Sequence, residues 1–145
     1  MRSTEINAVL GLEQLKRLDS NISARKRNLQ IWLDNLDSSL YYKDFCVKGN
    51  SNFALPLIID SSARHKKKIM NDICKILENR MVEYRVGTAG GGNQARQPYL
   101  KKYDFDIVGN LSSSNYIHEY ALYVGNHTGL TEKQIIDLCK RLNNV

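Results

Sequence analysis

The chain has 145 residues, of which 42% are hydrophobic and 25% charged. That is enough for one domain around one core, and the balance excludes an intrinsically disordered polymer. No apolar run approaches the roughly 20 residues a membrane span needs. Residues 1–5 carry no apolar signal segment, so the expectation is a cytoplasmic protein with no membrane contact. The formal net charge of +6 gathers in three short clusters, Arg25-Lys26-Arg27, Arg64-His65-Lys66-Lys67-Lys68 and Lys101-Lys102. Aromatic residues do not interleave with them, so they read as solvated surface and not as a nucleic-acid platform.

The first segment is helical. Ser3 or Thr4 can cap it, Glu5 suits the positive end of its dipole, and Ile6, Val9 and Leu10 open an apolar stripe. Leu15, Leu18, Ile22, Leu29, Trp32 and Leu36 continue the stripe at helical steps. Asp19-Ser20-Asn21 either breaks this stretch into two helices or kinks it. So long and one-sided a segment must pack along a partner subunit or another domain.

Turn residues fill 37–51. A strand follows over 53–59, at a sheet edge or with a bulge, because Pro56 has no N–H for a ladder. Asp60-Ser61-Ser62 ends it and can cap a helix whose apolar face is Ile69, Ile73, Ile76 and Leu77. Alternation over 82–86 predicts a second strand. Residues 87–97 form a loop rich in glycine and amides, 110–114 another turn, and Tyr116 and Ile117 a short helix. Ala121-Leu122-Tyr123-Val124 is a third strand. Thr131 and Gln134 make a capping box for a last helix faced by Ile135, Leu138, Cys139 and Leu142. The expected class is α/β or α+β: a long N-terminal helix plus a small sheet covered by helices.

Chemistry-bearing motifs are few. Cys46, Cys74 and Cys139 are far apart and odd in number, which reads as reduced, buried thiols. His65, His118 and His127 are isolated, so no metal site is expected. Gly90-Gly91-Gly92 lacks the Lys-Ser/Thr ending of a phosphate loop. As a surface loop it needs no ligand. Yet Asn93, Gln94, Arg96 and Gln97 follow at once, and three amides with a guanidinium suit a sugar or a diphosphate. From the residues alone both readings stand. Arg2 lies at a helix N-terminus, where a helix cap with an exposed arginine competes with an anion-binding corner.

Two stretches carry a family resemblance. Residues 2–19, RSTEINAVLGLEQLKRLD, resemble the start of the C-terminal domain of the DegT/DnrJ/EryC1/StrS aminotransferase family, in which an Arg-x-Thr/Ser stretch leads into Asn/Gln-Ala, Gly, Gln-Leu and Leu-Asp. Residues 87–99, GTAGGGNQARQPY, resemble the Gly-Asn-x-x-Arg-Gln-Pro segment of the family's nucleotide-sugar 3-dehydratases. Residues 123–127, 129–131 and the last helix are similar to the family's C-terminus.

The resemblance implies the small C-terminal domain of a fold type I homodimer that uses pyridoxal or pyridoxamine phosphate as electron sink. It implies a nucleotide-sugar substrate, and glutamate as a second partner in some members. Arg2 is implied as a cofactor-side residue serving the neighbouring subunit, and Asn93, Gln94 and Arg96 as substrate-side or glutamate-side groups. The family's Schiff-base lysine, or the histidine replacing it in 3-dehydratases, has no counterpart here, and the Asn preceding its Arg-x-Thr/Ser stretch would fall before Met1. The 145 residues are therefore expected to be one small domain without the cofactor-binding domain, binding no cofactor alone, with no catalytic residue of their own. A sugar aminotransferase parent is the alternative within the family. A basic binding module or a free-standing dimerisation module is the alternative outside it.

Overall fold

The computed structural model describes residues 4–87 and 92–145. Helix α1 spans Glu5–Leu15 and helix α2 Leu18–Asn35. Thr4 caps α1, its Oγ1 accepting the Asn7 N–H at 3.4 Å. The break between the helices falls at Lys16-Arg17, ahead of the expected Asp19-Ser20-Asn21. Those polar residues instead build the first turn of α2: Asp19 meets the positive end of the dipole, and the Ser20 hydroxyl donates to the Arg17 carbonyl at 2.8 Å.

Strand β1 covers Ala54–Ile58, helix α3 Lys66–Asn79 and strand β2 Tyr84–Val86. Helix α4 runs over Ser112–Tyr120, strand β3 over Ala121–Gly125 and helix α5 over Glu132–Leu142. The sheet order is β1-β3-β2, antiparallel throughout, so the fold is α+β. β1 is an edge strand, one of the two placements that Pro56 allows. The Pro56 carbonyl accepts the Trp32 indole N–H at 2.8 Å, which ties α2 to that edge.

One face of the sheet makes the core. Leu55 lies opposite Val124 and Leu57 opposite Leu122, and these four meet Leu29, Trp32 and Leu33 of α2, Ile73 and Leu77 of α3, and Ile135, Cys139 and Leu142 of α5. The Tyr41 hydroxyl reaches into this layer and donates to the Leu142 carbonyl. Burial pushes its phenol well above the usual range.

Several expectations need correction. The stripe begun at Ile6 is core only from Leu29 onward. α1 buries nothing, and Ile6, Val9, Leu10, Leu12 and Leu15 are all at least 60% exposed. Asp60 does not cap α3. Its carboxylate accepts the N–H and hydroxyl of Ser62 in a local turn, and α3 starts later, after His65 in a left-handed conformation with φ 55°. Ser112, Ser113 and Ser114 are helical and not turn, with the Asn110 side chain accepting the Ser112 N–H at 2.7 Å. Cys139 is buried, Cys74 half-buried, and Cys46 exposed, against the expectation of buried thiols throughout.

The Thr131–Gln134 capping box is present as read. Among the described residues no group of three or more His, Cys, Asp or Glu could hold a metal ion, and no helix is long and apolar enough to cross a membrane.

Candidate functional site

The amide-rich segment folds onto one face of α4. Asn115, His118 and Glu119 stand at i, i+3 and i+4, so they share that face. Each meets a residue of the segment. The Asn93 amide donates to Asn115 Oδ1 at 2.8 Å. Arg96 Nη1 donates to Glu119 Oε1 at 2.9 Å. Gly92 lies on the His118 ring, so close that a Cβ there would be 2.3 Å from Nδ1. That Nδ1 is buried, with no hydrogen-bond partner among the described residues.

These contacts bear on the two readings of the glycine cluster. A Cβ on Gly87 would lie 2.6 Å from the His118 carbonyl oxygen, and one on Gly92 would lie 2.5 Å from the Gly87 carbonyl oxygen. Gly87 and Gly92 thus have a structural reason to be glycine: the backbone must approach α4 and itself more closely than any side chain permits. Thr88-Ala89-Gly90-Gly91 lie outside the described residues, and so does Arg2.

The four polar side chains divide into two pairs. Asn93 and Gln97 are buried and hold the loop. The Asn93 Oδ1 caps a 3-10 turn at Gln94–Arg96 by accepting the Ala95 N–H at 2.9 Å, and the Gln97 amide donates to the Gly87 carbonyl at 3.3 Å. Gln94 and Arg96 face outward. Gln94 Oε1 accepts the Tyr99 hydroxyl, which leaves its N–H donors directed to solvent. The Arg96 guanidinium beside Glu119 holds that carboxyl below its ordinary range, with Lys67 adding to the effect. Both side chains are 42% exposed.

Asn93 and Gln94 line an open hollow of about 390 Å³. Its apolar wall includes Phe105, Ile107 and Leu111, and Ser114 adds a hydroxyl. Such a hollow can seat a polar ring against an apolar wall and offer it amide and hydroxyl hydrogen bonds. Asn115, Glu119 and Tyr99 belong to this constellation but were not singled out in the sequence, and His118, read there as isolated, packs against Gly92. The signal available was the i, i+3, i+4 spacing of polar residues in SNYIHE, visible only once α4 is known to begin at Ser112.

Among the described residues no lysine is buried, and the side chains lining this hollow include no lysine, arginine or histidine to hold a phosphate.

The model of the DegT/DnrJ/EryC1/StrS aminotransferase family matches residues 1–143. The chain belongs to that family. A GDP-4-keto-6-deoxy-D-mannose 3-dehydratase of Yersinia pseudotuberculosis is 29% identical over 146 residues, covering 100% of the chain and 34% of the relative. The structure of an E. coli GDP-4-keto-6-deoxy-D-mannose-3-dehydratase with bound hydrated PLP superposes with a TM-score of 0.77 at 26% identity, over 91% of this chain and 33% of that one. A putative sugar aminotransferase from Streptococcus pneumoniae, in its PMP form, shares the fold over 99% of this chain with a TM-score of 0.76 at 16% identity. The chain spans about a third of the length of the curated relatives it matches.

Proposed function

We propose that these 145 residues supply the C-terminal small domain of a nucleotide-sugar 3-dehydratase that works with pyridoxal or pyridoxamine phosphate. The observation that supports this most is the alignment of the entire chain with a GDP-sugar 3-dehydratase. The cofactor, when bound by the remainder of such an enzyme, supplies an electron sink for loss of the sugar's 3-hydroxyl. The part played by this domain is recognition. Gln94 offers amide donors to sugar hydroxyls, and Arg96 offers its remaining guanidinium N–H groups to a phosphate or carboxylate, the latter from glutamate. Asn93 acts from beneath, holding the 3-10 turn so that its neighbours keep their aim. Arg2, outside the described residues, is assigned by the family resemblance alone to the cofactor side of a neighbouring subunit.

The homodimer in this proposal draws on α1. Its apolar residues cover well over half of the helix circumference, wider than the stripe of roughly 100° or more by which a surface helix faces a core. A helix apolar on so many sides is stable only when enclosed. One surface from the rest of the enzyme and one from a second subunit would enclose it.

The test is a chimera in which this chain replaces the matching third of the Yersinia 3-dehydratase. The expected result is a folded, cofactor-loaded enzyme that releases 3-deoxygenated product from GDP-4-keto-6-deoxymannose. Arg96→Ala and Gln94→Ala should raise its KM about tenfold, with kcat less affected. A folded, cofactor-loaded chimera without turnover would refute the substrate assignment. Unchanged KM values in both variants would remove Gln94 and Arg96 from the site.

A further inference from the structure

The basic run at residues 64–68 has a part in the site that the sequence did not suggest. Its three lysines serve three different acids. The Lys66 charge reaches Asp60, beyond the end of β1, and Lys68 pairs with Asp72 at 3.2 Å one turn along α3. The Lys67 charge reaches Glu119 of α4, without an ion pair closer than 4.0 Å.

Glu119 is also the acid that Arg96 holds at 2.9 Å. Two cations from different elements, α3 and the 3-10 turn at Gln94–Arg96, thus act on one carboxylate. Neither has another acidic partner within ion-pair distance among the described residues, so one positive charge is left over. Lys67 and Arg96 are both exposed. Asp72 is likewise shared, by Lys68 and Lys75, but those three belong to a single helix at spacings that explain the contacts without a ligand. Lys67 and Arg96 meet only because α3 and the amide-rich segment both pack on α4.

The arrangement selects a chemistry. A lone carboxylate satisfies one cation and meets the Glu119 charge at close range. Two linked phosphates carry charge for both cations, on oxygens far enough apart to serve each. The planar fork of arginine and the flexible point charge of lysine both suit phosphate. A sugar ring seated beside Gln94 brings its diphosphate to the same 3-10 turn that carries Arg96. We propose that Lys67 and Arg96 form a two-cation clamp for the diphosphate of the nucleotide-sugar, with Glu119 as the counter-charge that holds Arg96 in place and moderates the grip. The clamp rests on the sugar reading of the hollow given above.

The probe is inorganic pyrophosphate, titrated into the 145-residue chain and followed by amide and guanidinium ¹⁵N–¹H shifts. The expected result is saturable shifts at Lys67, Arg96 and Glu119, with a Kd on the order of 1 mM. Lys67→Gln should weaken binding about fivefold. Lys68→Gln removes the same charge one residue away and should stay within about twofold. Glu119→Gln should tighten binding about threefold, whereas a purely structural Glu119 would give a loss. L-Glutamate should bind at least about fivefold more weakly than pyrophosphate. Equal losses in Lys67→Gln and Lys68→Gln, glutamate binding as tight as pyrophosphate, or no saturable shift at millimolar pyrophosphate overturns the clamp. In the chimera, Lys67→Gln should raise KM about fivefold with kcat unchanged, and Lys68→Gln should not. A chimera without turnover, whose pyrophosphate binding still follows this pattern, removes the substrate assignment and leaves the clamp standing as a diphosphate site. Turnover with a KM that Lys67→Gln leaves unchanged overturns the clamp and keeps the assignment.

Discussion

Replacing Gly92 by alanine tests whether the amide-rich segment is clamped to α4 as described. The added methyl carbon would sit 2.3 Å from His118 Nδ1 and 2.5 Å from the Gly87 carbonyl oxygen, where ordinary contact begins near 3.4 Å. Swinging the His118 ring away relieves one clash only. The other is with backbone, so the segment must lift. Lifting breaks the Asn93–Asn115 and Gln97–Gly87 hydrogen bonds, each worth about 1 kcal/mol net. If the segment stays docked, the overpacking costs about 1–3 kcal/mol. Either route gives about 2 kcal/mol, because detachment limits what strain can accumulate. Amide hydrogen exchange at Ala95, Arg96 and Gln97 should then quicken about 30-fold, while exchange in α2 and β3 changes little. Gly125→Ala is the control, since nothing lies within 4 Å of its added Cβ, and it should be neutral or slightly stabilising. If Gly92→Ala left exchange at those three amides unchanged, the clamp would be wrong, and ligand approach would again be the better reason for the glycine.

Two further outcomes are expected. Asn126 is buried and donates to the carbonyls of Arg25 and Asn52 while accepting from the Asn28 amide, so Asn126→Ala removes three hydrogen bonds, leaving Asn28 the His127 carbonyl, and should cost about 3 kcal/mol in urea unfolding followed by Trp32 fluorescence. A loss under about 1 kcal/mol would show that water replaces the network. For the thiols, burial pushes Cys139 up to about 12, whereas Cys46 is exposed. A disulfide reagent at pH 8 should modify Cys46 quickly and Cys139 only after unfolding. Because the folded pKa of Cys139 is raised, its contribution to stability is complete below its ordinary value of 9.0 and is lost as the pH rises from there toward 12. Rapid native labelling of Cys139 would contradict its burial.

Much of the fold was legible because local rules were obeyed. The Thr131–Gln134 box, the edge placement that Pro56 permits, and the helical spacing of Ile69, Ile73 and Leu77 each depend on neighbours within a few residues. Helix starts were harder to place. His65 enters α3 without a side-chain cap, and the serines before Tyr116 are helical although serine suits turns equally well.

The sequence by itself determined the elements and their approximate bounds, the family, and the presence of an amide-rich segment with chemical potential. Only the tertiary structure decided what each of its side chains does. Asn93 and Gln97 turn inward and Gln94 and Arg96 outward because α4 arrives from some twenty residues downstream and offers Asn115, His118 and Glu119 as partners. The apolar stripe of α1 and α2 likewise reads as continuous, yet the sheet and α5 cover only its last part. Burial is a property of what packs against a residue, and no periodicity along the chain records where the covering surface ends.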